Sequence, residues 1–94
     1  MRTKNVEVNH NPEQNRFELT VDGHLAVLTY MMKGDIIVFL HTGVPPAIGG
    51  RGLGTNLVET GLEYARDNGF MVRSMCWFVS KYIRHHKEYQ DLLK

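Results

Sequence analysis

Apolar and polar residues alternate through the first half of the chain and then change to a helical period. "VEVNHN" (6–11) alternates as a short strand does, and "NPEQN" supplies turn chemistry after it. "RFELTV" (16–21) predicts a second strand with Phe17, Leu19 and Val21 on one face. Asp22-Gly23 is a hairpin signal that leads into a longer third strand, "HLAVLTYMM" (24–32). After the turn Lys33-Gly34-Asp35 comes "IIVFLHT" (36–42), apolar on both faces and therefore predicted to lie inside the sheet.

The period changes at "GTNLVETGLEYARDNG" (54–69). At ~100° per residue, Leu53, Gly54, Leu57, Val58, Gly61, Leu62, Tyr64 and Ala65 share one half of a helical wheel. Thr55, Asn56, Glu59, Glu63, Arg66 and Asp67 fill the other half, and Asn68-Gly69 ends the helix. Gly61 in mid-helix costs about 1 kcal/mol against alanine. With Gly54 and Ala65 on the same face, it predicts a helix lying very close to a sheet. "FMVRSMC" (70–76) is the fifth strand, and "FVSKYIRHHKEYQDLLK" (78–94) reads as one helix or two short ones. A helix between strands four and five makes them parallel neighbours. The order predicts one domain over residues 1–94, of class α+β. It has a mixed, mostly antiparallel sheet of about five strands, one long crossover helix and a C-terminal helix.

Composition narrows the function classes. A net charge of +1 over 94 residues does not predict a broad cationic surface for nucleic acid. No apolar run approaches the ~18–20 residues that cross a bilayer, so no membrane span is expected. Cys76 is the only cysteine, which excludes an internal disulfide and fits a reducing, cytoplasmic setting. The five histidines show no metal-ligand spacing. His85 and His86 diverge by ~100° on a helix, so no metal site is expected.

The densest chemical signal is "HTGVPPAIGGRGLGTNL" (41–57), with Gly49, Gly50, Gly52 and Gly54 placed directly before the helix. The first turn of a helix carries backbone N–H groups without intrahelical partners, and these favour an anion. Glycines ahead of it let a phosphate approach without meeting a Cβ, and Arg51 adds a cation. The same glycines also suit a tight strand-to-helix turn with no ligand. Walker A is absent, because Gly54 is followed by Thr55 rather than by lysine. The G-x-G-x-x-G dinucleotide fingerprint is absent as well.

"VPPAIGGRGLGTNLVETGLEYARDNG", followed by a strand, resembles the acetyl-CoA-binding core of the GCN5-related N-acetyltransferases. "HTGV", "GGRGLG", "CWFV" and "EYQDL" occur in the order and spacing of the very small members of that family. One departure is Gly49, where the family motif usually has Arg or Gln. Another is the end of the chain near Lys94, without the C-terminal strand pair that walls the acceptor site in larger members. An acceptor site left open, or completed by a partner, is the expectation.

The resemblance implies an acetyl-CoA-dependent N-acetyltransferase acting on an amine acceptor whose identity the sequence does not carry. A catalytically inactive coenzyme A-binding sensor or partner-binding module is the alternative. It further implies that Thr42, Gly43 and Val44 pair with the pantetheine arm, and that Gly49, Gly50, Arg51, Gly52, Leu53, Gly54 and Thr55 hold the diphosphate. Three residues are catalytic candidates. His41 is read as a general base, or as a core residue beside Phe39 and Ile37. Tyr82 is read as the acid that protonates the departing thiolate, or as a packing partner of Phe78. Cys76 is read as an acetyl carrier facing His41 across the gap between strands four and five, or as a small buried hydrophobe.

Overall fold

The computed structural model describes residues 7–94. Five strands form one sheet whose spatial order follows the chain: β1 (Asn9–Asn11), β2 (Arg16–Val21), β3 (His24–Lys33), β4 (Ile36–Gly43) and β5 (Met71–Ser74). The first four make an antiparallel meander, and β5 joins β4 in parallel. Between them runs α1 (Leu53–Asp67), preceded by a 3-10 turn at Pro46–Ile48. After β5 come α2 (Trp77–Arg84) and a 3-10 segment, Lys87–Leu92. The fold is α+β, with the mixed sheet and the crossover helix that the hydrophobic pattern predicts.

Some boundaries differ from the pattern. β1 is shorter than "VEVNHN", whose Val6 lies outside the described residues. β5 stops at Ser74 rather than Cys76, because the chain turns there and Cys76 becomes the residue that caps α2. The C-terminal region divides into two short pieces at His85 and His86.

One departure reverses a predicted orientation. Tyr30 pairs with Phe39 and Thr29 with His41, so Leu40 is an extra residue, a β-bulge in β4. Strict alternation from Ile37 and Phe39 would carry His41 into the core. The bulge breaks that alternation and sends Thr42 to the helical side instead. Its Cγ2 lies 3.8 Å from where a Cβ on Gly54 would stand. His41, Gly43 and Val27 share the opposite face, and His41 is exposed.

The core lies between the sheet and α1, built from Phe17, Leu19, Leu28, Ile37, Phe39, Leu57, Val58 and Leu62. Full burial of each such side chain contributes about 1.5–3 kcal/mol. Close approach of helix to sheet is met at Gly61, where an added Cβ would stand 2.9 Å from the Phe39 ring and 3.1 Å from Leu28. α2 packs on the same side, with the Ser80 hydroxyl 2.7 Å from that of Ser74. Among the described residues, no helix covers the other face of the sheet. Asn56, placed on the polar half of the wheel, is instead only 5% exposed, and neither side-chain polar atom has a hydrogen-bond partner.

Candidate functional site

The chain leaves β4 at Gly43, and Pro45 and Pro46 end its pairing because they carry no N–H. The 3-10 turn buries Ile48 completely, which anchors the loop that follows. Gly50 (φ +76°) and Gly52 (φ +74°) both adopt the left-handed region, and Gly52 is the residue before α1. A Cβ at either position would meet nothing within 4 Å. The loop therefore leaves open space above its backbone.

The first turn of α1 has no side-chain cap and no acidic residue. Its ladder begins with the Asn56 N–H donating to the Gly52 carbonyl, 3.1 Å away. The amides of Leu53, Gly54 and Thr55 precede that bond and have no intrahelical acceptor. They open towards a cleft of about 340 Å³, which runs from Thr42 and Val44 to Thr55. Gly50, Gly52 and Gly54 line it, and Phe78 forms its far wall. Phe78 packs so tightly over Gly54 that a Cβ there would come within 3.1 Å of the ring. An open cleft, unpaired amides and the positive helix end together suit an oxyanion such as a diphosphate.

β4 and β5 part at the inner end of this cleft. Their ladder ends at Phe39 with Ser74, and a last bond runs from the Met75 N–H to the Phe39 carbonyl, 2.8 Å. Beyond it, among the described residues, the edge of β4 has no strand neighbour on that side. Cys76 stands at the opening, 9% exposed, its sulfur 3.5 Å from the Thr42 hydroxyl. Burial raises its pKa. Hydrogen bonds from the Val79 backbone, the Thr42 hydroxyl and the Phe78 and Thr42 backbones outweigh that effect, so the net shift is downward.

The other sequence-predicted residues fall in different places. His41 lies on the uncovered face of the sheet, whereas Cys76 meets Thr42 on the helical face. The expected Cys76–His41 pair across one gap is therefore not formed, and neither is the burial of His41 beside Phe39. Arg51 pairs with Asp22 at 3.1 Å, an exposed contact outside the cleft lining. Gly43 faces the His41 ring, while Val44, Gly49 and Leu53 join the cleft. The Tyr82 hydroxyl donates to Glu59 of α1 at 2.8 Å, and its ring stacks on His86. Burial, then the Glu59 carboxylate, push its pKa up. Tyr82 thus braces two helices together rather than meeting the opening between the strands. Among the described residues, no cluster of His, Cys, Asp or Glu could hold a metal ion, and no helix is long and apolar enough to cross a membrane.

Two site features escaped the sequence reading. The Thr42 hydroxyl was assigned only a backbone role, and Phe78 only a place beside Tyr82. Gly54 held the signal for Phe78, since a glycine on a packed helical face implies a bulky neighbour opposite.

Residues 16–92 match the family described as GCN5-related N-acetyl-transferase. The chain is 31% identical over 84 residues to Protein NATD1 of Gallus gallus, covering 86% of this chain and 76% of that protein. It is also 31% identical over 84 residues to Protein NATD1 of Homo sapiens, with 86% and 74% covered. In three dimensions it resembles the NMR solution structure of a GCN5-like protein from Staphylococcus aureus. The TM-score is 0.75 at 29% identity, over 98% of this chain and 91% of that one.

Proposed function

This chain belongs to the GCN5-related N-acetyltransferase family, and we propose that it transfers the acetyl group of acetyl-CoA to an amine acceptor. The observation that carries this reading is the open glycine cleft at the start of α1. Its uncapped amides and left-handed glycines fit a diphosphate that a β-carbon would exclude. When bound, acetyl-CoA supplies an activated thioester. Thr42, Gly43 and Val44 guide the pantetheine arm along the free edge of β4, and an amide of that edge stabilises the developing oxyanion.

The amine approaches from the uncovered face of the sheet, where His41 accepts its proton. The N–C bond forms as the C–S bond breaks. The sulfur departs as a thiolate, a stable enough anion to leave without an obligatory proton donor. Isothermal titration with acetyl-CoA tests the cleft. Saturable binding by the wild type, lost in Gly52→Val with the fold intact by circular dichroism, is the expected result. Affinity unchanged by Gly52→Val overturns it.

The lowered pKa of Cys76 favours a second route at the same site. Here the Cys76 thiolate attacks the thioester, coenzyme A leaves as its thiolate, and the acceptor amine then takes the acetyl group from sulfur. Mass spectrometry separates the two routes. A labile acetyl adduct on Cys76 supports the relay, and turnover retained by Cys76→Ala excludes it.

A further inference from the structure

A second groove continues the cleft on its outer side. It has a volume of about 190 Å³ and lies between Thr55 of α1 and the outer turns of α2. Thr55 and Phe78 line both spaces, so the two adjoin. The remaining wall is Lys81, Tyr82, His85 and His86, with no carboxylate among the lining residues. The acidic side chains of α1 face elsewhere. Glu59, Glu63 and Asp67 line a separate cavity of about 720 Å³, shared with His10 and Tyr64. The helix thus divides a groove lined by Lys81 and two histidines from an acidic one.

The histidines are oriented by the helix that carries them. Nδ1 of His85 lies 3.0 Å from the Lys81 carbonyl, and Nδ1 of His86 lies 2.7 Å from the Tyr82 carbonyl. A carbonyl only accepts, so each Nδ1 carries the hydrogen. Each Nε2 is then free of the backbone, and it donates whenever the ring is an imidazolium. Stacking on Tyr82, with ring centroids 3.8 Å apart, fixes the plane of His86. Lys81 is exposed, one turn before His85 on the same side of α2.

We infer that this groove holds the ribose 3′-phosphate of coenzyme A, with Lys81 and His85 as its principal partners and His86 and Thr55 beside them. The inference rests on the acetyl-CoA reading of the glycine cleft. A diphosphate seated on the amides of Leu53 to Thr55 would lie beside Thr55, which lines both spaces, with its ribose within reach of the outer groove. A phosphate on that ribose then enters a pocket containing a lysine, two histidines and no opposing carboxylate. Charge-assisted hydrogen bonds of this kind are the stronger class. Lys81 also lies over the Trp77 ring, 5.8 Å from its centroid, and its charge complements the C-terminal end of α2.

The test compares coenzyme A with 3′-dephospho-coenzyme A by titration at low ionic strength, where screening is weakest. Both ligands carry the diphosphate and pantetheine, and only the first carries the 3′-phosphate. The wild type is expected to bind coenzyme A about tenfold more tightly, as one charge-assisted contact allows. The double variant Lys81→Ala, His85→Ala changes two exposed side chains and is expected to bind the two ligands alike. Equal affinities in the wild type, or a preference that persists in the variant, overturn the inference while leaving the cleft intact. Binding of neither ligand overturns the cleft reading and this inference together.

Discussion

The Cys76 sulfur and the Thr42 hydroxyl meet at 3.5 Å where β4 and β5 separate. The contact places a thiol of lowered pKa beside the position proposed for the thioester. A thiol whose charged form is favoured ionises at lower pH than a free one. Iodoacetamide alkylation of Cys76 is therefore expected to show a pH midpoint below that of free cysteine measured alongside. Thr42→Val removes one of the bonds to sulfur and moves the midpoint up. A wild-type midpoint equal to or above that of free cysteine contradicts this account of the site.

His41 is exposed, so replacing it does not disturb the core. If it accepts the amine proton, His41→Gln lowers turnover by about 10²–10⁴-fold, the usual contribution of a general base. Acetyl-CoA affinity and thermal midpoint stay as in the wild type. Steady-state kinetics with a responsive amine decides the matter, and unchanged turnover removes His41 from the mechanism.

Tyr82 and Tyr89 donate to Glu59 and Glu63, which lie one turn apart on α1. In both, burial and then the carboxylate partner raise the folded-state pKa above the unfolded value of about 10. Stability from these bonds is complete below pH 10 and declines above it, because the unfolded chain loses its protons first. Urea midpoints followed from pH 8 upward should fall past pH 10, and less steeply in Tyr82→Phe. The same variant loses about 0.5–1.5 kcal/mol at neutral pH and keeps its turnover. A collapse of turnover would restore Tyr82 as the thiolate's acid.

Gly61→Ala sets two effects against each other. Alanine gains about 1 kcal/mol in helix propensity. Its Cβ would stand 2.9 Å from the Phe39 ring, and overpacking a core costs about 1–3 kcal/mol. The ring is fully buried and cannot swing away, so the variant is expected to unfold at lower urea. A higher urea midpoint would mean that the helix lifts off the sheet at no cost.

The elements were readable because their signals are local. Asp22-Gly23 joins β2 to β3 as a two-residue hairpin, and Arg16–Val21 pairs as its alternation predicts. The parallel step from β4 to β5 followed from the intervening helix alone. Side-chain direction near the site was not readable in the same way. The bulge at Leu40 answers to pairing with Thr29 and Tyr30 on another strand, and no feature of "IIVFLHT" announces it. It alone decides which face receives His41. The glycine loop was legible because the left-handed backbone at Gly50 and Gly52 favours glycine. The Tyr82–Glu59 bond was not legible, because Glu59 is distant in sequence and looked like one more solvated carboxylate.

Gly61 seats α1 on the Phe39 ring as a beam rests on a fulcrum, with Gly52 and the cleft amides at one end. The arm from Gly61 to Gly52 is about 13.5 Å long at 1.5 Å per residue. A tilt too small to disturb the hydrophobic layer is magnified along that arm, so bulk added under the middle of the helix reaches the ligand as a misaligned cradle. On the proposed acetyl-CoA reading, substitutions beneath α1 belong among the determinants of affinity at the cleft.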